Sequence, residues 1–344
     1  ICNISGRVVF DKGKLEPGQA FAWRLRIICF LCCFRSIDRC WNMRCIFIFS
    51  NQEKGDCMRW LGMSLINKFL SWLNSLHVLA AFLVGITLAI HFEERLLAYS
   101  NQLHNVLQVC EPYLYITSEP KMVAAIMLGG LLLLSDCPFL TPLSQDEMLR
   151  IGRKKWISSQ IYYIFLASFL YFTILLFTTV VVGCFGCGVY FAGGWSDTME
   201  ILSFTSPSAA ITNFHLRFDA PEMLQAISPT AAALEGIFFQ SLYLGMIGLI
   251  ILCVNMNTSR NYGWIVGSVL HFMGYLIYAN SGFGMQAKHS LLCFVIPEYH
   301  YIPSMGMSRI YCFLLLILLI ASVVQICMRT AHRVEPFLWK KELD

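Results

Sequence analysis

Apolar residues run through this chain in long blocks, not in the alternating or one-in-three-or-four rhythm of a half-buried strand or surface helix. A bilayer core about 30 Å thick takes about 20 residues of helix. Six blocks are of that order: residues 69–90, 122–140, 161–182, 236–254, 262–279 and 310–327. The second is the weakest, because Asp136 and Pro138 follow soon after its strictly apolar part. The pattern predicts an all-α, polytopic membrane protein with six transmembrane helices carried by residues 58–344. Gly263 and Gly267, four apart in the fifth block, read as a helix-packing pair, because small residues let helix backbones approach closely.

Composition agrees with that reading. The chain is 57% hydrophobic and only 13% charged, with a mean hydropathy of +0.61, against roughly 25% charged residues in soluble domains. The net charge is only +4, so its placement says more than its total. Lys and Arg gather in alternate connections: Arg150, Arg153, Lys154 and Lys155 after the second block, Arg260 after the fourth, and Arg329, Arg333, Lys340 and Lys341 after the sixth. The intervening connections are poorer in cations; residues 91–120 carry one Arg against four Glu. The positive-inside rule then puts both termini in the cytoplasm. This distribution fits membrane topology and not nucleic-acid binding.

Residues 1–57 stand apart. They hold seven of the 15 cysteines and short apolar bursts such as IICFLCCF, without period or turn grammar. Cys29 and Cys32, with Cys40 and Cys45, lack the second Cys-x2-Cys hook of a structural zinc site, so no metal is expected. Met58 or Met63 opens a sequence typical of an inner-membrane start, and residues 1–57 read as a poorly organised extension from an over-extended reading frame. The connection 183–235, rich in Gly, Ser and Pro, is expected on the outer face, with short amphipathic helices near Met199–Phe204 and Pro221–Ile227.

Catalytic patterns are missing. There is no phosphate loop G-x-x-x-x-G-K-[ST], no H-E-x-x-H and no G-x-S-x-G. Cys184 and Cys187 form a C-x-x-C without the fold that makes such a pair a redox centre, so small-residue packing is the expectation. His289, Glu298 and His300 are the best candidates for an enzyme site. Charged residues well inside the blocks are nearly absent; Asp136 and Glu235 fall at predicted interfaces. A proton- or sodium-driven transporter is disfavoured on that ground.

The densest charge lies in SDCPFLTPLSQDEMLRIGRKKWISSQ, residues 135–160. Residues 144–160 read as one amphipathic helix running into the third block, with Ser144 as N-cap and Glu147 at the capping-box spacing. Ser135, Asp136, Pro138 and Phe139, then Arg150, Gly152, Arg153, Lys154, Lys155 and Trp156, and the aromatic run that follows resemble bacterial, Firmicutes-like permease subunits of ABC transporters of the ABC-2 type. The resemblance is sharpest over residues 128–175. It implies a six-helix half that pairs with a second permease copy or homologous half in the cytoplasmic membrane. It also implies that the loop 141–160 couples to a separate ATPase subunit. Glu147, Arg150, Arg153, Lys154, Lys155 and Trp156 are then the coupling residues. The chain itself is not expected to be an enzyme or to hold a cofactor, ATP being bound by the partner; membrane lipid is a partner and nucleic acid is not. Export is the implied direction. Two other readings stay open: a non-ABC polytopic protein (immunity, sensor or lipid-binding), and a membrane-embedded lipid-modifying enzyme.

Overall fold

The computed structural model describes residues 66, 68–69, 71–72, 75–140, 144–191, 193–205, 207–218, 220–258, 262–281, 290–302 and 307–333. The extension 1–57, Arg260, Lys288, His289, Lys340 and Lys341 lie outside the described residues. Two compact units, residues 1–79 and 80–344, divide within the first long helix.

Helices dominate: α1 (Leu76–Gln102), α2 (Glu111–Ile116), α3 (Pro120–Leu134), α4 (Ser144–Ile151), α5 (Arg153–Gly186), α6 (Asp197–Thr205), α7 (Ser208–Phe214), α8 (Pro221–Ala226), α9 (Pro229–Thr258), α10 (Gly263–Ser281) and α11 (Arg309–Arg329). Two short strands, β1 (Leu107–Gln108) and β2 (Val189–Tyr190), pair in parallel with Leu107 opposite Val189. Among the described residues, α1, α5, α9 and α11 are long and apolar enough to cross a membrane. The 15-residue α3 is apolar but shorter. The 19-residue α10 carries His271 and Asn280 and is not one of the four.

Three boundaries depart from the apolar pattern. The first block was expected to end at residue 90, but α1 continues to Gln102. Glu93, Glu94 and Arg95 end the apolar run without ending the helix, because Glu and Arg are good helix formers. The second block was expected to reach residue 140, but α3 stops at Leu134. Its start is fixed by Pro120 at the first helical position, with Glu119 held extended (φ −94°, ψ 131°) as the residue before a proline prefers. The continuous helix expected over 144–160 is instead two helices, α4 and α5, broken at Gly152 with φ +84° and ψ 153°. That region of backbone space is open in practice only to glycine.

The outer-loop expectation near Met199–Phe204 corresponds to α6, and that near Pro221–Ile227 to α8. The axis of the fold is α9, where 72% of the most apolar stretch is buried, against 22–39% in α1, α5 and α11. It packs on α5, α10 and α11, and also on α2 and α3. In the other three long helices fewer than half of the residues of that stretch are buried within the chain.

Close approach is bought with glycine. On α9, Gly245 faces the Phe165 ring, and Gly248 faces Ile164 and Leu134; an added Cβ would come within 2.5–2.7 Å of these side chains. On α10, Gly267 faces Ile251 and Ile247, and Gly263 sits against the Ile251 carbonyl oxygen of α9. Polar side chains tie these and neighbouring helices together. Tyr113 of α2 donates to Gln240 Oε1 of α9 at 2.7 Å. His271 Nε2 lies 3.1 Å from the Ala124 carbonyl, and His271 Nδ1 lies 3.2 Å from the Tyr243 hydroxyl. Tyr171 of α5 donates to the Ile126 carbonyl of α3 at 2.7 Å, its hydroxyl lodged beside Gly85 and Gly129. Without water in a hydrocarbon setting, such bonds are the route to satisfying buried polar groups.

Candidate functional site

The segment with the most charge is also among the most firmly held. After α3, Ser135 N–H donates to the Leu132 carbonyl and Cys137 N–H to the Leu134 carbonyl, each at 3.2 Å, which turns the chain sharply. The Cys137–Pro138 bond is cis. Three side chains from other helices then grip this turn. The Gln160 amide of α5 accepts from Phe139 N–H at 3.2 Å and donates to the Phe139 carbonyl at 3.1 Å. Asn255 of α9 donates to the Cys137 carbonyl and, through Oδ1, accepts from Gly263 N–H of α10 at 2.6 Å. The Phe139 ring meets Tyr163 edge-on with centroids 4.3 Å apart. One turn thus connects α3, α5, α9 and α10.

The charge lies on α4, which packs on α5, and on the first turn of α5. Met148 (5% exposed) and Trp156 (0%) are buried, whereas Leu149 is 75% exposed. Arg150, Lys154 and Lys155 are exposed, and Arg153 and Glu147 are half-buried. Among the described residues Arg150, Lys154 and Lys155 form no ion pair within the chain. Backbone hydrogen bonds reach the break from both sides: Gly152 N–H donates to the Met148 carbonyl at 2.9 Å, and Trp156 N–H to the Gly152 carbonyl at 3.0 Å. The expected site residues are therefore gathered on one small element, with Trp156 as its buried anchor. Asp136 is exposed at the turn.

Sequence reasoning did not find Gln160 and Asn255. Their signal is a carboxamide next to or inside an apolar run, where an unpaired amide is costly to bury.

The other candidates occupy the opposite ends of α3 and α9. His300 spends both ring nitrogens, Nδ1 on Glu235 Oε1 at 2.8 Å and Nε2 on the Phe294 carbonyl at 3.0 Å. Tyr301 donates to Glu235 Oε2 at 3.0 Å, and Arg309 approaches the same oxygen at 3.5 Å. Glu235 thus fastens the start of α9 to the start of α11. Glu298 is buried nearby.

Two further acids lie where the sequence predicted a connection between the first two blocks. Glu93 is fully buried on α1, and among the described residues neither of its carboxylate oxygens has a hydrogen-bond partner. Glu111, also fully buried, accepts from Gln108 N–H at 2.8 Å and from Ser196 N–H at 2.6 Å. Burial pushes its carboxyl up to about 7, and the bonds from Ser196 and Gln108 restrain the rise. Cys187 is a free thiol pushed up to about 11 by burial, and Cys184 is an exposed free thiol. Gly183 and Gly186 beside them pack on Val189 and Leu97. No group of three or more His, Cys, Asp or Glu among the described residues has the arrangement to hold a metal ion.

No protein-family profile, curated protein or solved structure matches the chain. The class of protein thus rests on the chain itself: a helical protein with four helices of membrane-crossing length and composition.

Proposed function

We propose that this chain is the six-span permease subunit of an ABC transporter of the ABC-2 type, energised by an ATPase on a separate chain. In this reading α1, α3, α5, α9, α10 and α11 are the spans, with both termini in the cytoplasm. The short α3 is accommodated by local bilayer thinning. A second permease copy or homologous half completes the transporter, and transport runs outward across the cytoplasmic membrane.

The observation that carries the reading is the combination at the basic segment. Uncompensated cations, Arg150, Lys154 and Lys155, stand on α4 and α5. The turn that precedes them in the chain is hydrogen-bonded to α5 and α9 through Gln160 and Asn255, and through Asn255 to α10. Because α4 packs on α5, a force applied at α4 has a route through α5 and the turn into α9 and α10, as an ATP-driven tilt of the permease requires. Coupling travels through packed elements of this kind when they have two discrete arrangements.

The test is charge reversal at Arg150, Lys154 and Lys155 in the chain co-expressed with its ATPase. The expected result is loss of transport-coupled ATP hydrolysis with normal membrane insertion. Unchanged coupling in a correctly inserted variant overturns the proposal. A second reading is favoured by one observation, the 75% exposure of Leu149 beside Arg150. An apolar side chain flanked by cations also suits a surface helix on anionic lipid. Vesicles of phosphatidylglycerol separate the two: the lipid reading expects the reversed variant to lose vesicle binding and keep ATPase association.

A further inference from the structure

An open cleft of about 270 Å³ lies at the end of α3 remote from the basic turn. Fifteen residues of α3, about 22 Å at 1.5 Å each, separate the two sites. The cleft is formed by four separate pieces of chain. Glu119 and Lys121 come from the start of α3, and Arg217 from the link between α7 and α8. Tyr275 and Tyr278 come from the last turns of α10, and Glu298 and Tyr299 from the turn Pro297–His300.

Three features define what suits it. First, its charged lining balances, with two carboxylates against one ammonium and one guanidinium. A ligand of net single charge meets a like charge wherever it sits, whereas a zwitterion finds a partner for each end. Second, three tyrosines line it; Tyr299 is nearly buried, whereas Tyr275 and Tyr278 are partly exposed, and an aromatic ring attracts an ammonium group. Third, Lys121 is engaged with Glu119 at 2.6 Å yet its side chain is 55% exposed. An ammonium has three donors, so it retains hydrogen bonds for an anion while paired. The volume is below the roughly 300–1,000 Å³ of drug-sized sites, which fits a small headgroup.

Apolar surface adjoins the opening: Leu276 is 48% and Ile277 39% exposed on the same turns of α10 that supply Tyr275 and Tyr278. We propose that this cleft binds a zwitterionic phosphate–ammonium group, of the kind carried by phosphatidylethanolamine, with acyl chains lying along α10. Lys121 and Arg217 take the phosphate; Tyr275, Tyr278 and Glu298 take the ammonium. This site is independent of any ATPase and stands or falls separately from the transport reading.

The test uses the full chain purified in a neutral detergent with equal amounts of phosphatidylethanolamine and phosphatidylglycerol, retained lipid being counted by native mass spectrometry. Phosphatidylethanolamine is expected to be retained roughly tenfold over the anionic lipid, the factor that about 1.4 kcal/mol provides. Arg217→Gln and Tyr275→Ala are expected to lower that preference several-fold, and Tyr275→Phe, which keeps the ring, to preserve it. All three are compared at unchanged melting temperature. Soluble phosphoethanolamine distinguishes the sources. Displacement of the lipid at millimolar concentration assigns recognition to the headgroup alone; lipid retained against it shows that the acyl chains contribute. Equal retention of the two lipids, or a preference that survives both Arg217→Gln and Tyr275→Ala, overturns the proposal.

Discussion

Gln160 and Phe139 form a closed pair: the amide of the first accepts from the backbone N–H and donates to the backbone carbonyl of the second, at 3.2 and 3.1 Å. Twenty-one residues apart, they fasten the turn after α3 to the second turn of α5, with α4 in the loop between. The turn that leads from α3 toward the basic element is thus fastened to α5 by a carboxamide.

Replacing Gln160 by Leu removes both bonds at once. The turn loses its fastening to α5, and the expected cost is about 1–3 kcal/mol for polar backbone left without partners. Thermal unfolding in detergent is the measurement. Asn255→Leu is expected to cost at least as much, because it frees the Cys137 carbonyl and Gly263 N–H together. Both residues serve one turn, so the double variant should fall short of the sum of the singles.

Gly152→Ala tests the break between α4 and α5. No atom lies within 4 Å of the added Cβ, so the effect is purely conformational. At φ +84° it is expected to cost about 1–3 kcal/mol. Melting temperature falls, or α4 and α5 merge into one helix, which spin-label distances across Gly152 would read.

Packing at glycine gives a paired contrast. Gly263→Ala drives a methyl into the Ile251 backbone carbonyl and the Asn255 side chain of α9, and neither can yield easily. A loss of about 1–3 kcal/mol is expected. Gly193→Ala, with nothing within 4 Å, is expected to be neutral. Folded yield and melting temperature measured side by side decide the matter.

Glu111 makes stability depend on pH. Its carboxyl stands at about 7 in the folded chain against an ordinary 4.5. Between these values the unfolded chain has released the proton and the folded chain still holds it. Stability contributed by this group is therefore complete below about pH 4.5 and is lost as pH rises through about 7, by at most about 3 kcal/mol. Glu111→Gln should flatten this part of the melting-temperature profile between pH 5 and 7. A slope unchanged in the variant assigns the dependence to another group.

Membrane sidedness is tested with thiols. In the six-span arrangement the exposed Cys184 and a cysteine introduced at Arg150 lie on opposite sides. An impermeant maleimide applied to intact cells is expected to label Cys184 at once and Arg150→Cys only after permeabilisation. Labelling of both from outside contradicts the arrangement.

Much of the architecture was legible in the chain. Long apolar blocks marked the major helices, because a helix buried all round, in protein or in hydrocarbon, is apolar along its length. The blocks located α5, α9, α10 and α11 to within a few residues at the fifth and sixth, and by their cores at the third and fourth. Boundaries were less legible where a helix outruns its apolar run. Glu93 is the clearest instance: hydropathy drops at it, yet α1 continues and buries it completely. The basic cluster too could be read directly, whereas Gln160 and Asn255 could not. A lone carboxamide acquires meaning only from the carbonyl it reaches, and the Cys137 carbonyl lies 118 residues from Asn255 in the chain.

What the sequence by itself determined is thus the helical class, the central positions of the long apolar helices and the place of the charge. These follow from local composition, which acts wherever the chain goes. Tertiary structure alone decided that α9 is the axis, that a break at Gly152 separates α4 from α5, and that Gln160 and Asn255 hold the turn that precedes the cations. It alone gathered three tyrosines and four charges from separate segments into one cleft. Each of these depends on which surfaces come within hydrogen-bonding or van der Waals reach, and no local pattern encodes that distance.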